Sequence, residues 1–487
     1  MKKTHILVIL LLFDICTSLM AQEHKKSPNI IFMLTDDISR NDLGAYGGPY
    51  GITPELDRMA EKGMVFTEAY VTSSSCSPSR CSMITGRYPH NTGAPELHNP
   101  LPRNQVMFPG LLKEKGYYTV LSGKNHMGPH VSQAFDTICD GVGPGGQQDW
   151  VKILEERPKD RPFFFWFASY DAHRDWQYDN DGKKVDTGSV KVPPMLFDGS
   201  LTRSDLQGYL HEVSRVDYYL GKLMKALKEQ GEENNTYVIF TSDNGRPFPR
   251  CKTRMYDSGS KVPLMVTGPG VKPGSSGALT STMDIAPTIL EWAGIPVPEE
   301  IQGVSFDPVV KGRKESVRDF LFAEHNWHVF QAHERMVRWG DWMYIRNAYP
   351  ERRNLAGEST RVIPSGKELW DAHADHLLRE EQQDVFLVPR PHEELYNVRE
   401  DPYQFYNKAG VHKEITVFLR SVLRIWTLQT GDSEPRSPTN DREDEYGRKN
   451  NDFARGEKPG ASTGAVKMNH PGPVFMEDVL RSGAVYK

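Results

Sequence analysis

The sequence predicts an α/β fold: a large mixed, mainly parallel sheet sandwiched by helices, with a smaller C-terminal α+β domain carrying an antiparallel sheet. Three observations predict it. Short apolar runs alternate with segments of helical spacing through most of the chain. These runs are apolar at consecutive positions, as expected of strands buried on both faces of a parallel sheet. Beyond residue 330 the pattern changes to short runs joined by a tight Gly-Asp turn.

Taken in order, Asn29 to Leu34 is the first buried strand and ends in Thr35-Asp36-Asp37. Met64 to Val71 is the second, leading into Ser73-Ser74-Ser75-Cys76. Pro109 to Lys115 has helical character. Tyr117 to Leu121 is a strand running into Gly123-Lys124-Asn125-His126. Pro162 to Ser169 is almost wholly aromatic and closes on Asp171-Ala172-His173-Arg174. Leu201 to Glu229 carries Leu220, Leu223, Met224 and Leu227 at helical spacing. Thr236 to Phe240 is a strand followed by Ser242-Asp243-Asn244-Gly245, and Lys261 to Thr267 is one more. A helix begins near Thr282-Met283-Asp284, and this domain is expected to continue past Glu324 to 330. Arg335 to Arg338 and Trp342 to Arg346 then form a hairpin, Glu394 to Asn397 a short strand, and Ile415 to Leu428 an amphipathic helix. The expected organisation is a leader over 1–21, a catalytic domain over 22–330, an α+β unit over 331–430 and an extended, loose tail over 431–487, whose composition is rich in Gly, Pro and charge.

The 487 residues are 38% hydrophobic and 25% charged with a net charge of −5, so no global basic field is available for a polyanion. An anionic substrate needs a local cluster of cations. Lys2 and Lys3 precede the apolar run Ile6 to Phe13, and a small-residue site follows near Ala21. That arrangement predicts a cleaved signal peptide and export, to the periplasm or the medium, without a membrane anchor. Of five cysteines, Cys16 falls in the leader, and the rest are too few for a disulfide scaffold.

In open α/β sheets, ligands bind beyond the carboxyl ends of the strands. Here five strands end in acidic, basic or nucleophilic residues. Asp36, Asp37, Asp243 and Asn244 present hard oxygens with neither sulfur nor imidazole, which suits Ca²⁺ or Mg²⁺ over Zn²⁺. Cys76 precedes Ser77-Pro78-Ser79-Arg80. Pro78 suits a first helical position, so the following amides would face an anion held beside Cys76, and Arg80 adds a fork of donors for a tetrahedral oxyanion. By cysteine spacing alone, an exported thiol or a disulfide partner of Cys81 is as good a reading of Cys76 as a catalytic one.

The string Cys76-Ser77-Pro78-Ser79-Arg80, followed by Thr85-Gly86-Arg87, resembles the type I sulfatase signature. The resemblance implies an alkaline-phosphatase-like fold, one Ca²⁺ on Asp36, Asp37, Asp243 and Asn244 that also touches Cys76, and conversion of Cys76 to formylglycine by a maturase. It implies further that the hydrated aldehyde attacks sulfur and that its second hydroxyl then expels the sulfate. Lys124 and Lys252 would neutralise the sulfate oxygens, His126 would assist the diol, and His173 would protonate the leaving group. Arg174 suits a sugar hydroxyl or a carboxylate. Segments 124–129, 171–174 and 241–249 are similar to the heparan N-sulfatase branch, which implies N-sulfoglucosamine as leading substrate; Ala172 replaces a proline and Lys252 an arginine of that pattern. O-sulfated sugars of other polysaccharides, a phosphatase or phosphodiesterase of the same fold, and a non-catalytic glycan-binding relative are the alternatives.

Overall fold

In a computed structural model, which describes residues 26–483, the chain forms an eight-stranded sheet and a separate four-stranded one. The leader and Cys16 lie outside the described residues. The large sheet uses β1 (Asn29–Thr35) and β2 (Met64–Phe66), while β3 (Ala69–Tyr70) pairs elsewhere. It continues with β4 (Tyr118–Gly123), β5 (Thr137–Cys139), β6 (Phe163–Ala168), β7 (Thr236–Ser242), β8 (Leu264–Thr267) and β9 (Gly274–Ser276). β10 (Thr280–Ser281) pairs in parallel with β3. The order across the sheet is β5-β4-β6-β1-β7-β8-β2-β9, with β8 antiparallel to both of its neighbours and the other pairings parallel.

Period-two alternation explains why β1 is apolar throughout. Ile30, Phe32 and Leu34 join one core and Ile31 and Met33 the other, all with no exposed surface. β6 divides in the same way, with Phe164 and Trp166 on one face and Phe163, Phe165 and Phe167 on the other. The second face is covered by the helix Ser200–Glu229, through Leu206, Tyr209, Leu210, Val213, Leu220, Leu223 and Leu227. The register aligns the strand ends: Leu34 lies opposite Ala168, Gly123 opposite Ala168, and Thr35 opposite Ser242. Gly123 has φ 95° and a Cβ there would sit 1.8 Å from the Ala168 carbonyl oxygen, so only glycine allows the chain to turn into Lys124.

The smaller sheet is an antiparallel meander of β11 (Phe320–His325), β12 (Glu334–Trp339), β13 (Trp342–Asn347) and β14 (Glu393–Asn397). One face packs Phe320, Phe322, Val337, Tyr344 and Leu395 against Leu419, Val422 and Trp426 of the helix Lys413–Thr430. The other packs Leu321, Ala323, Met336 and Met343 against Tyr70, Met255 and Tyr256 of the large domain. The sequence reading carried the first domain through Glu324 to 330. It ends earlier, because β11 is an edge of the small sheet.

The tail after residue 430 has little regular structure, as expected, but it is not loose. Arg335 grips Asp432 with two bonds of 2.7 and 2.8 Å. Thr439 donates to Glu96 at 3.0 Å, the Trp327 indole N–H donates to the Asn440 carbonyl at 2.7 Å, and Arg87 donates to the Met468 carbonyl at 2.9 Å. The composition misled because the tail is anchored by polar bonds to distant partners, which need no apolar run. Breaking the buried Arg335–Asp432 pair leaves Arg335 with the longer 3.5 Å contact to Glu324 as its counter-charge. Asp432→Ala is therefore expected to destabilise the fold by about 1.5–3 kcal/mol in chemical denaturation and to open the tail to limited proteolysis; an unchanged midpoint would count against this anchoring.

The four described cysteines, Cys76, Cys81, Cys139 and Cys251, are all free thiols. Among the described residues no helix is long and apolar enough to cross a membrane.

Candidate active site

Four neighbouring parallel strands, in the order β4-β6-β1-β7, release their polar ends at one edge. β1 delivers Asp36 and Asp37. The Asp36 amide donates to the Asp171 carbonyl at 2.9 Å, tying the β1 and β6 exits together, and the Asp37 amide donates to Asp243 Oδ1 at 3.2 Å, tying β1 to β7. Asp36, Asp37, Asp243 and Asn244 are buried completely.

Cys76 begins the helix Cys76–Thr85, which is buried at every position and ends at Gly86 with φ 63°. The helix starts two residues before Pro78. Proline is still tolerated there, because first-turn N–H groups have no intrahelical partner; the first such bond runs from the Ser79 amide to the Ser75 carbonyl at 3.0 Å. The Cys76 thiol lies 3.5 Å from Asp36 Oδ1 and 3.8 Å from Asp37 Oδ1. Burial pushes this thiol well above its ordinary pKa, against the pull of Lys124 and Lys252. Arg80, one turn on, donates Nε to Asp243 Oδ2 and Nη1 to the Lys124 carbonyl, each at 2.8 Å. Its Nη2 is buried without a hydrogen-bond partner, 3.8 Å from Asp36 Oδ1.

Lys124 is ion-paired with Asp36 Oδ2, and Lys252 with Asp37 Oδ2 at 2.8 Å. These charges separate the three carboxyls. Burial opposes ionisation of Asp36, but Lys124 above all, with Arg80, holds it well below the usual carboxylate range. Burial raises Asp37 to about 6 despite Lys252, and burial with the neighbouring charge of Asp36 raises Asp243 to about 7.

One carboxylate oxygen each from Asp36, Asp37 and Asp243, together with Cys76 Sγ, lie within 4.8 Å of one another. The Asn244 amide N–H donates to Asp37 Oδ1, and its own Oδ1 is a buried acceptor with no partner. A hard cation fits this set. It would satisfy the orphaned amide oxygen and offset the repulsion between carboxylates.

His173 lies beside the nucleophile: one of its ring nitrogens is within 4.8 Å of both Asp36 and Cys76. Its Nδ1–H donates to the Arg174 carbonyl at 2.6 Å, which leaves Nε2 as the nitrogen free to exchange a proton. Its surroundings and the charge of Lys252 hold it down at about 4, so the ligand-free imidazole is neutral at pH 7. Beneath it, Asp171 is locked by Arg215 through bonds of 2.8 and 2.5 Å. His126 shares a 2.8 Å hydrogen bond between its Nε2 and His98 Nδ1, while its Nδ1 is buried and unpaired. Burial and the charge of Lys124 depress it strongly.

Ten of the eleven residues expected at the site therefore converge at this edge. The eleventh, Arg174, stands beside it with its guanidinium engaged elsewhere. It is ion-paired with Asp205, donates to the Pro247 carbonyl at 2.8 Å, and lies over the Trp176 and Phe248 rings. The sequence reading missed three contributors. His98 orients His126, His328 shares a 2.8 Å bond with the Ser75 hydroxyl, and Glu358 approaches Lys252 at 3.9 Å. His98 and Glu358 sit on connections far from any strand end. His328 follows β11 by three residues, and the apolar run Phe320 to Ala323 is the signal the chain offers for it.

A family model described as Sulfatase matches residues 28–148 and 147–295, and one described as N-sulphoglucosamine sulphohydrolase, C-terminal, matches residues 251–343. The chain is 28% identical to the N-sulphoglucosamine sulphohydrolase of Homo sapiens, with 83% of this chain and 90% of that protein covered. It is 27% identical to an ulvan-active sulfatase of Formosa agariphila, with 87% of this chain and 81% of that protein covered. A structure solved in complex with D-glucosamine-2-N,6-O-disulfate, described as its substrate, superposes with a TM-score of 0.62 at 22% identity, covering 82% of this chain and 96% of that one; it speaks to the fold.

Proposed function

Because the chain belongs to the sulfatase family and hydrolyses sulfate from sulfated glycans, we propose that it removes the amino-linked sulfate of a terminal N-sulfoglucosamine. The observation that carries this reading is the C-terminal family match over residues 251–343, which includes Lys252 of the site itself. Similarity to the ulvan-active sulfatase favours a second reading, an O-sulfated sugar of another polysaccharide.

In this reading Cys76 is matured to formylglycine by a dedicated enzyme, and Asp36, Asp37, Asp243 and Asn244 hold one Ca²⁺. Together these groups supply a hydrated aldehyde as nucleophile and a positive charge beside it. The chain's own residues do the rest. Lys124 and Lys252, buried and fixed by Asp36 and Asp37, face the sulfate oxygens in a water-poor pocket where their charge is worth most. The unpaired Nη2 of Arg80 gives one more donor. His126 Nδ1, neutral and without a partner, accepts a proton from the nucleophile side. His173 is neutral without ligand, and a bound sulfate anion favours its protonated form, so Nε2 acquires the proton it passes to the departing nitrogen or oxygen. Arg174, through Asp205 and Pro247, holds the loop that carries His173. Export of the mature enzyme belongs to the same reading.

The test is a panel of size-defined saccharides bearing one sulfate at N, 2-O, 3-O or 6-O, with free sulfate quantified. Release from the N-sulfated sugar is expected. Release from an O-sulfated sugar alone overturns the N-sulfate assignment and supports the second reading, and release of phosphate but never sulfate would overturn both.

A further inference from the structure

Glu358 is a buried carboxylate beside Lys252, with no hydrogen-bond donor on its Oε2. It sits in a short helical turn, Gly357–Ser359, inside the long insertion that joins β13 to β14. Its Oε1 lies 3.9 Å from Lys252 Nζ, too far for a hydrogen bond, while that ammonium donates to Asp37 at 2.8 Å. Its Oε2 is buried and accepts nothing. A buried carboxylate oxygen without a donor is costly, and this one, beside Lys252, has its acceptor capacity open to a ligand.

The backbone around Glu358 is built to hold it there. The Thr360 amide and hydroxyl both donate to the Gly357 carbonyl, at 3.2 and 2.7 Å, and the Trp370 indole donates to the Ser359 carbonyl at 2.8 Å. The insertion is moored to the large domain, since Glu368 accepts the amides of Leu201 and Thr202 at 3.1 and 2.7 Å. The Ser365 amide reaches Asp205, the partner of Arg174, at 3.2 Å. One small-domain insertion is thus moored through Asp205 to the His173 loop and brings Glu358 to within 3.9 Å of Lys252.

Building on the sulfated-saccharide reading above, we infer that Glu358 is a substrate-binding residue that accepts a hydrogen bond from the hydroxyl or amine adjacent to the scissile sulfate. Lys252 fixes the sulfate, so the substituent on the neighbouring sugar carbon falls within reach of the carboxylate 3.9 Å away. The preference has two sides. A neutral or cationic donor completes Glu358, whereas a second sulfate or a carboxylate on that carbon meets a like charge in a poorly screened pocket. The substrate class is a saccharide whose scissile sulfate is flanked by a free hydroxyl or amine.

The experiment compares wild type, Glu358→Ala and Glu358→Gln on three compounds. These are the monosulfated sugar cleaved fastest in the panel above (N-sulfoglucosamine in the leading reading), its analogue with the neighbouring hydroxyl replaced by hydrogen, and its analogue with that hydroxyl sulfated. Glu358→Ala is expected to lower kcat/KM on the first compound by about 10–100-fold and to change the deoxy compound by less than about threefold. Glu358→Gln keeps the shape and removes the charge; it is expected to raise kcat/KM on the vicinally disulfated sugar relative to the first compound. Equal losses on the hydroxyl and deoxy compounds overturn the inference, since Glu358 would then act only through Lys252. No loss on any compound overturns it as well. If wild type releases sulfate from no sugar, the functional reading itself fails and the inference falls with it. If only the preferred sulfate position differs, the inference is tested unchanged on that position.

Discussion

Replacing Cys76 by alanine is expected to abolish sulfate release, by at least about 10⁴-fold in kcat, while leaving the fold intact. Cys76 opens a helix whose other nine residues are also buried, so its position is set by the packing of its neighbours. Losing one small buried thiol should cost only about 1 kcal/mol. The unmodified thiol is a poor substitute nucleophile, because burial keeps it protonated. Protein made without the maturation enzyme should therefore be as inactive as the alanine variant, and peptide mass spectrometry should find the aldehyde only in active preparations. Full activity of unmodified thiol protein, or of Cys76→Ala, would refute the role given to this residue.

The second large effect is expected on removing the cation. Treatment with EDTA should reduce activity to background, with Ca²⁺ restoring it best. Asp243→Ala should lower metal content and activity together, since it removes one ligand oxygen and the 2.8 Å anchor of Arg80. A readout independent of turnover follows from the carboxyl groups. Asp37 and Asp243 are held at about 6 and about 7 in the fold, against about 3.9 in an unfolded chain. Groups raised in this way bind more protons folded than unfolded, so these two carboxyls take stability from the metal-free fold as pH rises from about 4 to about 7. A bound cation favours the ionised forms and cancels that loss. The rise in Tm produced by Ca²⁺ is therefore expected to be larger at pH 7.5 than at pH 5, and to shrink in Asp243→Ala. Activity indifferent to Ca²⁺ but dependent on Zn²⁺ would contradict the oxygen-ligand reading.

Most of the site could be read from the chain because of how a parallel sheet is buried. A strand covered on both faces must be apolar throughout, and it changes character where it leaves the sheet. Asp36 after Leu34, Lys124 after Leu121, His173 after Phe167 and Asp243 after Phe240 are visible as those changes. With one sheet edge shared, the convergence of their side chains follows. The Cys76 string was legible for a different reason: nucleophile, helix start and Arg80 are all local in sequence.

Partnerships between segments that share no periodicity exist only in the folded molecule. The run Phe320 to Ala323 of β11 has the same apolar character whether it pairs within the large sheet or with β12, and only the closure of the small domain assigns it to the latter. The tail is polar enough to be solvated, yet Asp432, Thr439 and Asn440 each meet a distant donor or acceptor that the sequence does not announce. Arg174 has the same composition of neighbours whether it faces a ligand or Asp205, and the fold chose Asp205. His98 and Glu358 are carried by connections in which no hydrophobic pattern sets the direction of a side chain. The strands and their polar ends follow from the order of residues along the chain, because burial of apolar surface is written as local periodicity. The hydrogen-bonded and ionic contacts across the molecule were decided in three dimensions, because each depends on where a second, distant segment comes to rest.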